Sequence, residues 1–222
     1  MKSLFRGALI ASLLATPALA NEPSTDLEKL SYSLGMILGE RVREFGDVDP
    51  DFVLQGIVDS GKDPSAWKMD RPAINKAMQD GQARVLAERE AAAMKVGEDY
   101  LIANAKKDGV KTTASGLQYR VLNEGSGSSP SAKDKVKVHY EGRLINGQVF
   151  DSSYSRGEPV SFPLDQVIPG WTEGVQLMTV GSKYELTIPS QLAYGAQGAQ
   201  DRIPPHSVLV FEVELLEINP AN

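Results

Sequence analysis

At 222 residues, with 23 basic against 29 acidic side chains and a formal charge of −6, the chain has room for one large domain or two small ones. The negative balance argues against nucleic acid or an anionic membrane as the main partner. The absence of cysteine excludes disulfide support, thiol chemistry and a lipid anchor on that residue.

The chain opens with the pattern of a secretory signal. Lys2 and Arg6 precede an apolar stretch over residues 8–14, and Ala18-Leu19-Ala20 forms a small-x-small cleavage site. The apolar run is too short to cross a bilayer as a helix. Residues 1–20 are therefore expected to be a removable signal peptide, with a buried first helix of the mature fold as the competing reading. Loss of Lys2 and Arg6 takes the formal balance from −6 to −8. Export would take the mature chain out of the cytoplasm.

From Thr25 to about Lys107 the composition is helical, and from about Thr112 it turns rich in Val, Gly, Pro and aromatics. Thr25-x-x-Glu28 has capping-box spacing and starts a first helix. Its apolar residues Leu27, Leu30, Leu34, Ile37, Leu38, Val42 and Phe45 recur near helical spacing, and Gly46 is its stop. Asp49 caps a second helix that begins at Pro50 and runs through Phe52, Leu54 and Ile57 to Gly61. Gly35, Gly39 and Gly56 lower helix propensity by up to ~1 kcal/mol each, either for close helix approach or by chance composition.

A third helix is expected from about Pro72 to Lys107, ended by Asp108-Gly109 and reaching roughly 50 Å at ~1.5 Å per residue. Its apolar content is thin, which marks a solvated stalk. Helices this small make a meagre core. The helical part over residues 21–70 is therefore expected to be completed by a second copy as a homodimer, a small monomeric bundle being the alternative. Residues 71–109 would be the connecting helix and residues 110–222 the second domain.

Beyond Gly109 the period changes to two. Leu117, Tyr119 and Val121 alternate with Gln118 and Arg120; Val136, Val138 and Tyr140 alternate with Lys137, His139 and Glu141; Tyr184, Leu186 and Ile188 alternate with Lys183, Glu185 and Thr187. Leu209, Phe211, Val213 and Leu215 complete the set. These read as antiparallel strands with one wet face. Trp171, Val175 and Met178 at i, i+4, i+7 give one short helix packed on the inner face. The fold class is α+β, a twisted antiparallel sheet wrapped on one helix, after an N-terminal all-α dimerisation domain with its long helix.

Nucleophilic and metal chemistry find little material. By alternation His139 points to solvent, and His206 follows two prolines in a turn. No His/Asp/Glu ligand spacing and no phosphate loop occurs, so neither metal nor cofactor is expected. What remains is an aromatic set around one carboxylate, Asp151. Phe162, Tyr184 and Val213 read as core.

The words that carry this set are V-x-Y-x-G-x-L at 138–144, F-D-S-S at 150–153, V-I-P-G-W-x-E-G-V at 167–175, L-A-Y-G at 192–195 and I-P-P-x-S-x-L-V-F-x-V-E-L-L at 203–216. Together and in this order they resemble the FKBP-type peptidyl-prolyl cis-trans isomerases. The whole mature chain resembles the dimeric bacterial subfamily of FkpA-like and macrophage-infectivity-potentiator-like members, which with the export signal implies the periplasm of a Gram-negative bacterium, the outer surface or secretion being the alternatives. The resemblance implies a pocket of Tyr140, Phe150, Asp151, Val167, Ile168, Trp171, Tyr194, Ile203 and Phe211, with Trp171 under the proline ring. It implies hydrogen bonds to substrate carbonyls from the Tyr194 hydroxyl and the Ile168 N–H. Asp151 would lie beside the twisting amide, held by Tyr140 and Arg156. An aromatic of the best-known members aligns with Val160, and a flap-loop histidine with Ala199.

The implied activity is non-covalent isomerisation of X-Pro bonds in proline-containing clients, assisting folding of envelope or secreted proteins. Chaperone action by the dimeric helical part would accompany it, and a macrolide such as rapamycin would act as inhibitor. The alternative is a non-catalytic holdase chaperone or surface factor that uses the pocket only to bind proline.

Overall fold

The computed structural model describes residues 22–199 and 201–220. The expected signal peptide, residues 1–20, lies outside the described residues. The described residues divide into two compact units, the first ending at Lys76 and the second beginning at Ala77.

In the first unit, helix α1 spans Asp26–Arg43 and α2 spans Pro50–Ser60, followed by a 3-10 turn over Pro64–Ala66. Thr25 and Glu28 form the reciprocal capping box, and the Asp49 carboxylate accepts from the Asp51 and Phe52 amides. Both starts follow from local chemistry, since a side-chain oxygen replaces the missing acceptor of the first turn. Neither helix has much to pack on: α1 buries no residue, and Leu27 and Phe52 are each 73% exposed. A Cβ at Gly35, Gly39 or Gly56 would meet nothing within 4 Å, so within this chain these glycines serve no close approach.

Helix α3 spans Arg71–Asn104, with the Asp70 carboxylate accepting from the Ala73 amide at its start. It buries only Val85, Gly97 and Asn104, in keeping with its thin apolar content. At its end, Lys106 and Lys107 donate to carbonyls three residues back, and Gly109 turns the chain at φ +77°. That tightening ends the regular helix before the Asp108-Gly109 stop expected from the sequence.

The second unit carries strands β1 Val110–Thr112, β2 Gln118–Asn123, β3 Lys135–Leu144, β4 Val149–Ser152, β5 Val160–Pro163, β6 Lys183–Ile188 and β7 Leu209–Ile218. The short helices α4 Ser153–Arg156 and α5 Pro169–Gln176 lie between them in sequence. The sheet order is β1-β2-β6-β7-β3-β4 with β5 also paired to β3, and each pairing is antiparallel. The α+β reading is therefore borne out.

Val136, Val138, Leu186, Ile188, Val213 and Leu215 fill one face of the sheet, and α5 lies against it through Val175 and Trp171. The approach is close because two helix positions lack side chains. A Cβ on Gly170 would lie 2.3 Å from Ile188 Cγ2, and one on Gly174 would lie 2.7 Å from Leu186 Cδ1.

The opposite face is not wet throughout. Gln118 and Thr187, read from alternation as solvent-facing, are 4% and 2% exposed. The end of α3 covers them: Asn104 Nδ2 donates to Gln118 Oε1 at 2.9 Å and Thr187 Oγ1 at 3.3 Å, and Gln118 Nε2 donates to the Leu101 carbonyl. Gln118 and Thr187 are register partners, so one short network joins two strands and the helix. His139 is likewise half-buried rather than solvent-facing, stacked on Tyr154 at 4.7 Å with Nδ1 2.9 Å from Ser153 Oγ.

Gly170→Ala is expected to destabilise the second unit by about 1–3 kcal/mol, because the added methyl overpacks the α5–β6 contact. Urea unfolding of the variant checks this, with a lower midpoint at unchanged slope.

Candidate functional site

The concave side of the sheet holds a cavity of about 670 Å³. Its floor is built by α5. Pro169 occupies the first turn, where its missing N–H costs no hydrogen bond, and this sets Trp171 one step inside the helix. The Trp171 ring meets Tyr140 at 5.2 Å and 89°, Phe162 at 5.8 Å and 81°, and Phe211 at 5.4 Å and 87°. These edge-to-face contacts place positive ring edges on negative faces and hold the indole in one orientation. Phe150 closes the set against Phe211 at 5.5 Å and 85°.

Strand β3 makes room for the last two rings at Gly142, which pairs with Asp151 on one side and Phe211 on the other. A Cβ there would stand 2.6 Å from Phe211 Cε1 and 2.7 Å from Phe150 Cζ.

The F-D-S-S word is a unit of structure. Phe150 and Asp151 end β4 on the cavity, and the Ser152 hydroxyl caps α4 by accepting from Ser155 N. The buried Ser153 hydroxyl accepts from Tyr140 N at 2.8 Å, latching α4 to β3. One turn later Arg156 Nη1 donates to Asp151 Oδ1, while Tyr140 OH donates to Asp151 Oδ2. Arg156 Nη2 donates to Tyr140 OH at 3.0 Å, closing the triangle.

Burial pushes the Asp151 carboxyl up, but the hydrogen bonds from Tyr140 and Arg156 and the guanidinium charge outweigh it and hold it below the usual carboxylate range. Burial, with the hydrogen bond to Asp151, pushes the Tyr140 phenol up to about 12. At neutral pH the pair is therefore carboxylate and phenol, with no proton in transit.

Tyr140, Phe150, Asp151, Val167, Ile168, Trp171, Tyr194, Ile203 and Phe211 all line the cavity. Arg156 does not line it and reaches it only through Asp151 and Tyr140. Among the described residues, neither the Tyr194 hydroxyl nor the Ile168 N–H has a hydrogen-bond partner, so two donors stand free at the rim. Phe162 is a correction: read as core, it is only partly buried and forms a cavity wall. Val160 packs on the core without lining the cavity, whereas Ala199 does line it. Gln166 and Arg202 were not anticipated, since neither belongs to a strand pattern.

Among the described residues no group of three His, Cys, Asp or Glu could hold a metal. Such a cavity can exclude water, hold an apolar ring, and offer two donors beside a carboxylate already paired.

Residues 127–216 match the family profile described as FKBP-type peptidyl-prolyl cis-trans isomerase. Residues 27–121 match the profile of the domain amino terminal to it. The chain is similar to the FKBP-type 22 kDa peptidyl-prolyl cis-trans isomerase of Escherichia coli K12, 50% identical over 195 residues that cover 85% of this chain and 93% of that protein. The peptidyl-prolyl cis-trans isomerase Mip of Coxiella burnetii is 40% identical, covering 94% of each. Among solved structures, FkpA from E. coli covers 90% of this chain and 99% of its own at a TM-score of 0.63 and 40% identity.

The Tyr140 phenol sets an alkaline limb of stability. Its pKa is raised in the fold, so its contribution is full below the unfolded value of about 10 and lost as pH rises through about 12. Tyr140→Phe should therefore show a shallower fall in denaturant stability between those two pH values than the parent chain.

Proposed function

The chain belongs to the FKBP-type peptidyl-prolyl cis-trans isomerases, and on that premise we propose that it rotates X-Pro bonds of exported polypeptides in the cavity above Trp171. The observation that carries this reading is an aromatic-lined cavity beside a carboxylate that Tyr140 and Arg156 hold ionised.

Rotation about an X-Pro bond crosses a barrier of ~18–20 kcal/mol because it breaks amide resonance. The planar amide is the more polar form and water solvates it better, so a water-poor aromatic cavity lowers the twisted state relative to it. In this reading Trp171 carries the proline ring, with Val167, Ile203, Phe150 and Phe211 as walls. Tyr194 OH and Ile168 N–H, without partners among the described residues, hold the substrate carbonyls. Asp151, restrained by Tyr140 and Arg156, presents fixed negative charge beside the twisting amide, and such preorganised charge counts for more where water is excluded. The chemistry needs no nucleophile and no cofactor. A rapamycin-like macrolide would compete for the same enclosure.

The organisation proposed with it is a signal peptide over 1–20, a helical dimerisation domain over 21–70, a connecting helix over 71–109 and the isomerase domain over 110–222. The exposed Leu30, Leu34 and Ile37 of α1 support a homodimer, since an amphipathic helix that buries nothing in its own chain gains stability by burying that face elsewhere. The signal-peptide pattern supports the periplasm, with the outer surface or secretion as the alternatives.

The same apolar helices favour a second reading, a holdase in which the pocket only binds proline. A chain of residues 77–222, compared with the mature protein, separates the two. It is expected to be monomeric by sedimentation, to keep isomerase activity on a short X-Pro peptide, and to lose suppression of client aggregation.

For catalysis itself, Asp151→Leu should lower kcat/KM on that peptide by about 10²-fold, the lower end of the scale of a lost preorganised electrostatic contact. Trp171→Leu should do the same by removing the floor. Thermal melts check that both remain folded, and unchanged turnover in folded variants would sink the catalytic reading.

A further inference from the structure

Among the described residues, Asp151 and Arg202 are the charged side chains that line the cavity. They differ in what surrounds them. Asp151 is satisfied twice, by Tyr140 OH and by Arg156, so its charge is already answered inside the protein. Arg202 is exposed and, among the described residues, has neither an ion-pair nor a hydrogen-bond partner. Gln166 is exposed at the same mouth, and its amide is likewise without a partner. Asp165 and Asp201, their sequence neighbours, are exposed and do not line the cavity.

The rest of the lining is apolar or aromatic, apart from Tyr140 and Tyr194. A peptide whose proline sits on Trp171 leaves its flanking side chains at the mouth, where a planar guanidinium with unspent donors waits for a carboxylate. The molecule as a whole is acidic, so any attraction for a negative substrate must be local to this rim. We infer that Arg202, assisted by Gln166, selects X-Pro segments that carry Glu or Asp beside the proline, and discriminates against Lys and Arg there. This specificity rests on the isomerase reading of the cavity and adds a substrate class to it.

The test uses the mature chain and short peptides that differ only at the residue before or after proline, as Glu, Gln or Lys. Relaxation after a jump from the cis-enriched state is followed without a coupling protease, whose own preference would intrude. The ratio of kcat/KM for Glu over Lys is the readout, because a general change in turnover cancels from it. In at least one of the two positions the parent chain should favour Glu by about two- to fivefold at low ionic strength, the range of an exposed ion pair. The preference should fade at about 1 M salt, where screening acts within ~3 Å. Arg202→Lys should keep the preference, Arg202→Ala should bring the ratio to that of a neutral rim, and Arg202→Glu should invert it. A ratio unmoved by Arg202→Ala, or one indifferent to salt, overturns the assignment while leaving the isomerase reading intact through turnover of the Gln peptide. Failure to turn over any of the peptides overturns both.

Discussion

The contact between α5 and β6 is the constraint on which the second unit depends. A helix can approach a sheet this closely only where it presents no side chain, and Gly170 and Gly174 do so against Ile188 and Leu186. Trp171, between them in sequence, is carried against the sheet with them, so its ring becomes the floor of a cavity rather than an ordinary core residue. Gly142 does the complementary job on β3, admitting the edges of Phe150 and Phe211 across the strand. Three missing side chains thus create the space that six aromatic rings then shape.

The carboxylate is arranged with the same economy. Desolvation beside an apolar cavity pushes the pKa of a carboxylate up. Tyr140 and Arg156 reverse that outcome, and both are placed by the segment that carries the carboxylate. Ser152 starts α4, α4 brings Arg156 back over Asp151, and Ser153 ties the turn to Tyr140 on β3. The result is a charge that stays ionised yet makes no demand on substrate for a counterion. Arg202 is its opposite, a cation whose donors are uncommitted.

The first unit follows a different energetic logic. Its helices start at well-formed caps, yet capping contributes only about 0.5–2 kcal/mol per site and cannot replace a core. Apolar residues repeat on α1 at helical spacing, and none is buried. The helices are well specified as local structure and underprovided with tertiary contacts, the condition in which association with another surface is most favourable.

Much of this was legible in the linear chain, for a physical reason. Capping boxes, helix stops and strand alternation act between residues close in sequence, so Thr25, Asp49, Val136, Val138 and Tyr140 declare their roles locally. The aromatic words around Asp151 were equally plain, because each is a run of residues adjacent in sequence. The misread positions depend on what lies across space. Gln118 and Thr187 look solvent-facing until Asn104 and the Leu101 carbonyl, on a helix that precedes them, cover their side of the sheet. Phe162 looks like core until the path of α5 leaves one side of it open to the cavity. Arg202 lies outside the helices and strands and Gln166 ends a single 3-10 turn over Leu164–Gln166, so no hydrophobic period could place them at the mouth. The amino-acid order determined which elements form and which side chains were available for chemistry. Their assembly decided which face was covered, which ring stayed open and which charge was left unpaired, because burial and electrostatic compensation depend on neighbours that only the folded chain brings together.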